Sequence, residues 1–322
     1  MQPLIFFGTP EFAVPTLAAL AATEFRPALV VSQPSRPAGR GWQLTEPPVV
    51  RAARELGIEF LQVEKVRDGS FLERLRLLEP AIAVVVAFGQ IFPAELLAIP
   101  RLGCLNVHAS LLPRWRGAAP IQAAIRAGDS ETGVTTMVME AGLDSGPVLL
   151  ERATTIGASE SSVELSARLA EIGGELMLET LRDLERGAIV PQAQPDEGVT
   201  LAPKVTRRDG QLRWDLAAVE IERAVRAYRP WPGVELPIAV TSGAGTVAEG
   251  SFKVLDVRIT EGHCAPWAGP GTVAAVTRDE LVVDAGEGTS LAILRAQLPG
   301  RGPVTGGELA RSLGLRPGGR VG

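Results

Sequence analysis

At 322 residues, with 46% apolar side chains, the chain is long enough for two domains and a sizeable core. Its formal net charge of −5 excludes a grip on nucleic acid by bulk charge, leaving only clustered arginines as phosphate holders. Cys104 and Cys264 make neither a disulfide framework nor a metal cluster, and the longest apolar run, residues 81–88, is strand-sized. Met1 leads straight into a strand without a basic-then-apolar leader, so a cytoplasmic home is expected.

Residues 3–7 (PLIFF) are apolar throughout, as a strand buried on both faces requires, and Gly8-Thr9-Pro10 ends it. A helix over 14–22 follows, with Pro15 in its first turn, then a strand over 28–32. This alternation predicts an α/β domain with a parallel sheet. Residues 33–48 (QPSRPAGRGWQLTEPP) predict a long loop. It is either a plain surface insertion or a basic arm in which Arg36, Arg40 and Trp42 meet phosphate and base. A helix over 49–56 stopped by Gly57, a strand over 59–62 and a helix to 79 capped by Asp68 or Ser70 come next.

Residues 81–87 (AIAVVVA) form the most hydrophobic strand and belong mid-sheet. Its carboxyl end, Phe88-Gly89-Gln90-Ile91, is expected to open onto a ligand crevice. A strand over 102–107, a helix over 118–127, a half-buried strand over 134–139 and a turn over 140–146 follow. A long amphipathic helix spans 160–186, with Gly173-Gly174 as the place for a break. The expected first domain is 1–188. Residues 189–207 lack a sustained period and read as a linker ending in Lys204, Arg207 and Arg208. Residues 208–322 form the second domain: a helix to 228 capped by Asp215, then short strand-like runs that suggest a small barrel or sandwich.

Residues 103–120 (GCLNVHASLLPRWRGAAP) hold the chemistry-bearing pattern. On a strand, Asn106 and His108 face the same side, so an amide donor and an imidazole can meet one reacting atom. Such a donor to an oxyanion is worth about 3 kcal/mol of transition-state stabilisation. Taken alone, the pair is more simply a hydrogen-bonded strand end. Asp144, between Gly142 and Gly146, either orients His108 or only stabilises its own turn. Ser110, Leu111, Leu112 and Pro113 can wall an apolar slot or anchor the loop to the core, and Phe88 and Ile91 carry the same ambiguity. No G-x-G-x-x-G follows the first strand, which disfavours a nicotinamide or other nucleotide cofactor.

Taken in order along the chain, FFGTPEFAVPTL, QPSRPAGRG, VVVAFGQIFP, NVHASLLPRWRGAAPIQ and GVTTMVMEAGLDSGPVL closely resemble the methionyl-tRNA formyltransferase family. VTRRDGQLRWDLAAVEIERAVRAYRPWPG extends the likeness into the second domain. The resemblance implies a Rossmann-like catalytic domain and a smaller β-rich, OB-like domain that helps hold tRNA. It implies formyl transfer from 10-formyltetrahydrofolate to initiator methionyl-tRNA, by a cytoplasmic monomer with no metal and no membrane partner. Asn106, His108 and Asp144 match the family's catalytic trio, and Ser110, Leu111, Leu112 and Pro113 its folate loop. Phe88, Gly89, Gln90 and Ile91 join the folate wall. Arg36, Arg40 and Trp42 are expected to meet the tRNA acceptor end, and Lys204, Arg207, Arg208, Arg223 and Arg226 backbone phosphates, unless Arg223 and Arg226 only form a solvated helix face.

Two positions depart from the family. Trp42-Gln43 stand where a lysine pair is usual, trading charge for stacking, and Ala109 replaces a glycine. Other readings of the same core are a formyltransferase acting on an amino sugar nucleotide or purine precursor, and a non-catalytic RNA-binding protein with a dead transferase domain. The missing glycine fingerprint weighs against a hydride-transfer enzyme.

Overall fold

The computed structural model describes residues 1–38, 43–242, 245–260 and 267–322, with the side chains of 38 and 240–248 left aside. Arg40, Trp42 and Cys264 therefore lie outside the described residues. The chain divides into two compact units: residues 1–121, 130–157 and 164–203 form one, and 122–129, 158–163 and 204–322 the other.

The first unit is built on a seven-stranded sheet. Its spatial order is Val148–Thr155, Glu131–Val138, Cys104–His108, Ile82–Val86, Leu4–Gly8, Leu29–Ser32 and Phe60–Gln62. The last five run parallel, and the first two are antiparallel to their neighbours. Ile82–Val86 is the central strand and all five of its residues are buried, as its unbroken apolar run demands. Asp68 caps the Gly69–Leu77 helix, its carboxylate accepting from the amides of Ser70 (3.0 Å) and Phe71 (3.3 Å).

Four expectations change. First, Val148–Thr155 is an additional strand at the sheet edge. Its outward residues, such as Glu151 and Thr155, are polar, so it lacks the apolar signature of its neighbours. Second, Glu131–Val138 is buried along both faces rather than one. Gly133 and Thr135 lie under the loop that carries Leu111 and Leu112, whereas Thr136 faces the long helix and shares a hydrogen bond with Thr180. Third, that helix runs unbroken from Ser162 to Glu185. A Cβ on Gly173 would stand 2.8 Å from the Val107 side chain, and one on Gly174 would stand 3.2 Å from the Pro15 carbonyl. Gly173 therefore brings the helix close to the sheet, and Gly174 brings it close to the Val14–Ala21 helix, rather than interrupting it. Fourth, the arm starts and ends in a two-stranded ladder, Arg36–Ala38 against Gln43–Thr45.

The stretch expected to link the domains is tied into the first unit as far as Pro203. Gln192 forms an antiparallel bridge with Val148, and Leu201–Ala202 pairs in parallel with Arg116–Gly117. It shows no internal period because its hydrogen bonds go to distant loops.

The second unit holds a six-stranded antiparallel sheet, ordered Val234–Ser242, Gly245–Ile259, Ser290–Gln297, Leu281–Asp284 and Val273–Val276, with Val304–Thr305 paired beside Ser290–Gln297. Helices Ala218–Ala227 and Gly306–Leu313 bury Ile221, Ala224, Leu309 and Leu313 with Trp214, Phe252 and Ile293. The expected barrel or sandwich is one antiparallel sheet, and one of its strands reaches 15 residues. Asp215 does not cap the first helix; it pairs with Arg213, and the free amides of Ala217 and Ala218 go to Glu220 and Thr289. The second helix was missed although its capping box was legible. Thr305 Oγ accepts from the Glu308 amide (3.2 Å), and the Glu308 carboxylate accepts from the Thr305 amide (2.9 Å). Among the described residues no helix is long and apolar enough to cross a membrane.

The close helix–sheet approach makes a stability prediction. Gly173→Leu should lower the unfolding free energy by about 1–3 kcal/mol, read from the urea midpoint, because the added side chain must displace Val107.

Candidate active site

The site grows from one face of the Cys104–His108 strand. Val107 points toward Gly173 of the long helix, so by alternation Asn106 and His108 point to the opposite face. That face is covered by two irregular segments: the loop over residues 109–117 and the turn over 139–147. Cys104 shares the face, but burial pushes its thiol up to about 12, so it carries no thiolate near neutral pH.

The loop is fixed by its own polar groups. Ser110 Oγ donates to the Arg114 carbonyl (2.6 Å). Thr135 Oγ donates to the Ser110 carbonyl (2.7 Å) and accepts from the Leu112 amide (3.2 Å). The Trp115 backbone is left-handed (φ 62°), and its amide donates to Thr200 Oγ (2.8 Å). These bonds aim the Trp115 carbonyl at His108 Nε2, 2.9 Å away. A carbonyl only accepts, so Nε2 carries the hydrogen and the other nitrogen is left for chemistry. That nitrogen, Nδ1, faces Asp144 Oδ2 at 3.7 Å, with the two side chains 5% and 18% exposed.

Asp144 does more than close its own turn. Its Oδ2 accepts from the Gly117 amide at 2.9 Å, so one carboxylate oxygen holds the loop and faces the imidazole. Its backbone is left-handed (φ 47°), which costs a non-glycine residue about 1 kcal/mol. The turn also needs Gly146, where any Cβ would collide with the Val138 carbonyl. Asn106 is half-buried beside this pair, and among the described residues its carboxamide has no hydrogen-bonding partner. A polar group left open in so ordered a site is suited to a ligand.

Of the expected folate residues, Ser110 and Leu112 are buried, Leu111 lies half-buried against Gly133, and Pro113 is half-buried. The second group, Phe88 to Ile91, divides. Phe88 is 2% exposed and packs edge-to-face on Phe7 and Phe92, so its side chain belongs to the core rather than to a pocket wall. Gly89 lies against Gln33, whose Nε2 donates to the Phe88 carbonyl (2.7 Å). Gln90 spends its amide on the Val66 amide and the carbonyls of Val63 and Glu64. Only Ile91, 82% exposed, presents an open apolar side chain.

The basic residues divide as well. Arg36 is exposed and, among the described residues, bonds Gln33. Lys204, Arg207 and Arg208 are exposed, in or beside a short 3-10 turn braced by Thr206 and Asp209. Arg223 covers Gly128 and donates to the Ala127 carbonyl, leaving it half-buried. Arg226 corrects an expectation: it is 16% exposed, paired with Glu222 and bonded to the Glu160 carbonyl, so its charge serves the second unit. Gln194 and Thr200 were missed. Each bonds backbone atoms of the site loops from a position remote in sequence, and such partners leave no sequence signature.

A family model described as formyl transferase matches residues 2–181, and one described as formyl transferase, C-terminal domain, matches residues 204–314. The chain is 43% identical over 319 residues to the methionyl-tRNA formyltransferase of Citrifermentans bemidjiense, covering 99% of this chain and 96% of that one. It is 45% identical over 315 residues to the methionyl-tRNA formyltransferase of Halorhodospira halophila, covering 98% and 97%. In fold it is similar to the N-formyltransferase from Helicobacter canadensis in complex with folinic acid and dTDP-3-aminofucose. That match has a TM-score of 0.65 and 14% identity, over 91% of this chain and 99% of that one. With relatives this similar over nearly its whole length, and both halves matched in order, the chain belongs to the methionyl-tRNA formyltransferases within the formyl transferase family.

Proposed function

We propose that the chain transfers the formyl group of 10-formyltetrahydrofolate to the amino group of methionyl initiator tRNA, giving N-formylmethionyl-tRNA. The observation that carries this is the full-length likeness to methionyl-tRNA formyltransferases, in a chain whose Asn106, His108 and Asp144 converge on one face of the sheet. Initiator tRNA as acceptor implies work in the cytoplasm, and we take the chain to act as a monomer.

The methionyl nitrogen attacks the formyl carbon, forming a carbon–nitrogen bond and a tetrahedral centre with an oxyanion. Asn106, its carboxamide open, donates to that oxyanion. The proton lost by the amine passes to the His108–Asp144 pair, directly or through water. His108 takes it on Nδ1 because Nε2 is held by Trp115, and the carboxylate 3.7 Å away balances the imidazolium. The bond from the formyl carbon to the folate nitrogen then breaks, and the pair returns a proton to that nitrogen. Ser110, Leu111, Leu112 and Pro113 line the folate side, with Gly89, Ile91 and the backbone of Phe88 and Gln90 opposite. Arg36, Arg40 and Trp42 receive the acceptor end of the tRNA, and Lys204, Arg207, Arg208 and Arg223 meet phosphates. The first unit is the catalytic domain in this reading and the second holds tRNA.

Two measurements test this. Asn106→Ala should cut kcat about 100- to 1,000-fold and His108→Ala at least about 100-fold, with the fold intact by circular dichroism. Near-parental turnover in both would sink the mechanism. Arg40→Ala should lower kcat/KM for charged initiator tRNA about tenfold and leave the folate KM unchanged. Unchanged tRNA kinetics would remove the arm from recognition.

A further inference from the structure

Between residues 191 and 199 every side chain is exposed except that of Gln194. Its amide is saturated. Nε2 donates to the Asp144 carbonyl (2.8 Å) and to the Gly146 carbonyl (2.7 Å). Oε1 accepts from Arg116 Nε (2.9 Å) and Nη2 (2.7 Å). The orientation is unambiguous, because carbonyls only accept and a guanidinium only donates. One side chain thus grips the turn at Asp144 and Gly146 and joins it to the residue before Gly117. Gly117 in turn donates its amide to the Asp144 carboxylate. The bonds close a ring: Asp144 to Gly117, along the chain to Arg116, to Gln194, and back to Asp144.

We infer that Gln194 is a positioning residue for the formyl transfer, holding Asp144 in its left-handed backbone conformation so that its carboxylate faces His108. This rests on the role proposed above for Asp144. The conformation is one that a non-glycine residue leaves readily unless its surroundings hold it. The two bonds from Nε2 hold it at the peptide carbonyls on either side of Ser145. The strap that carries Gln194 is itself pinned on both sides, by Gln192 to Val148 and by Leu201–Ala202 to Arg116–Gly117. The task requires two donors and two acceptor sites in one side chain, which an uncharged amide supplies and a carboxylate does not.

The test uses the full chain and four variants: Gln194→Ala, Gln194→Glu, Asp144→Asn, and Gln194→Ala combined with Asp144→Asn. Gln194→Glu keeps the side-chain volume and the Arg116 bonds but sets a carboxylate against two carbonyls. Both Gln194 variants should lose roughly tenfold to a hundredfold in kcat, with KM for folate and for tRNA within about twofold of the parent. In the Asp144→Asn background, Gln194→Ala should cost less than about twofold more, because its effect acts through a carboxylate already removed. Parental kcat in both Gln194 variants, a loss confined to KM, a full additional loss in the double variant, or failure of both Gln194 variants to fold would each overturn the inference. Parental turnover in Asp144→Asn would overturn the proposed role of Asp144 as well. A slow Asp144→Asn beside normal Gln194 variants would overturn the positioning role alone.

Discussion

A peptide carbonyl can only accept a hydrogen bond, and the site is organised around one such carbonyl. Trp115 presents its oxygen to His108 Nε2, which settles the tautomer and leaves Nδ1 toward Asp144. The loop geometry serves that contact. Ser110 and Thr135 fold residues 110–114 back on the sheet, and Thr200 holds the amide of the same tryptophan. With the imidazole locked from one side, the carboxylate needs only to stand opposite. The Gly117 amide keeps it there by occupying the oxygen that faces the ring.

The sheet makes this arrangement available by dividing work between its faces. On one side of the Cys104–His108 strand, the long helix closes over Val107 through Gly173. On the other, the irregular backbone of residues 109–117 and 139–147 approaches Asn106 and His108. The reversal of direction at Glu131–Val138 matters here. An antiparallel pair can be joined by a compact turn, whereas a parallel neighbour would need a crossover helix. Asp144 rides in such a turn.

What could be read from the residues follows the same physics. PLIFF and AIAVVVA were legible because each is an unbroken apolar run, as a strand buried on both faces among apolar neighbours requires. The Val148–Thr155 edge, with polar outward residues, was not. Asn106, His108 and Asp144 were legible as types at informative positions, but the bonds of His108 to Trp115 and of Asp144 to Gly117 were hidden because those partners are backbone atoms. Adjacent residues could not be sorted either. Phe88 enters the core and Ile91 stays outside, a distinction made by the fold of the FGQI turn. Arg226 looked like a phosphate contact until Glu222, one helical turn back, proved to hold it.

The strap over residues 189–203 sets an order of assembly. Everything needed to build the seven-stranded sheet and its covering helix has been synthesised once Glu185 is added, and so has every side chain assigned to the chemistry. The bonds of Gln194 to the Asp144 turn and of Thr200 to Trp115 come from chain synthesised later. A nascent chain of that length would own the hydrophobic core but not the geometry of the site. Competence thus arrives after compactness, when the strap is laid across loops that already exist.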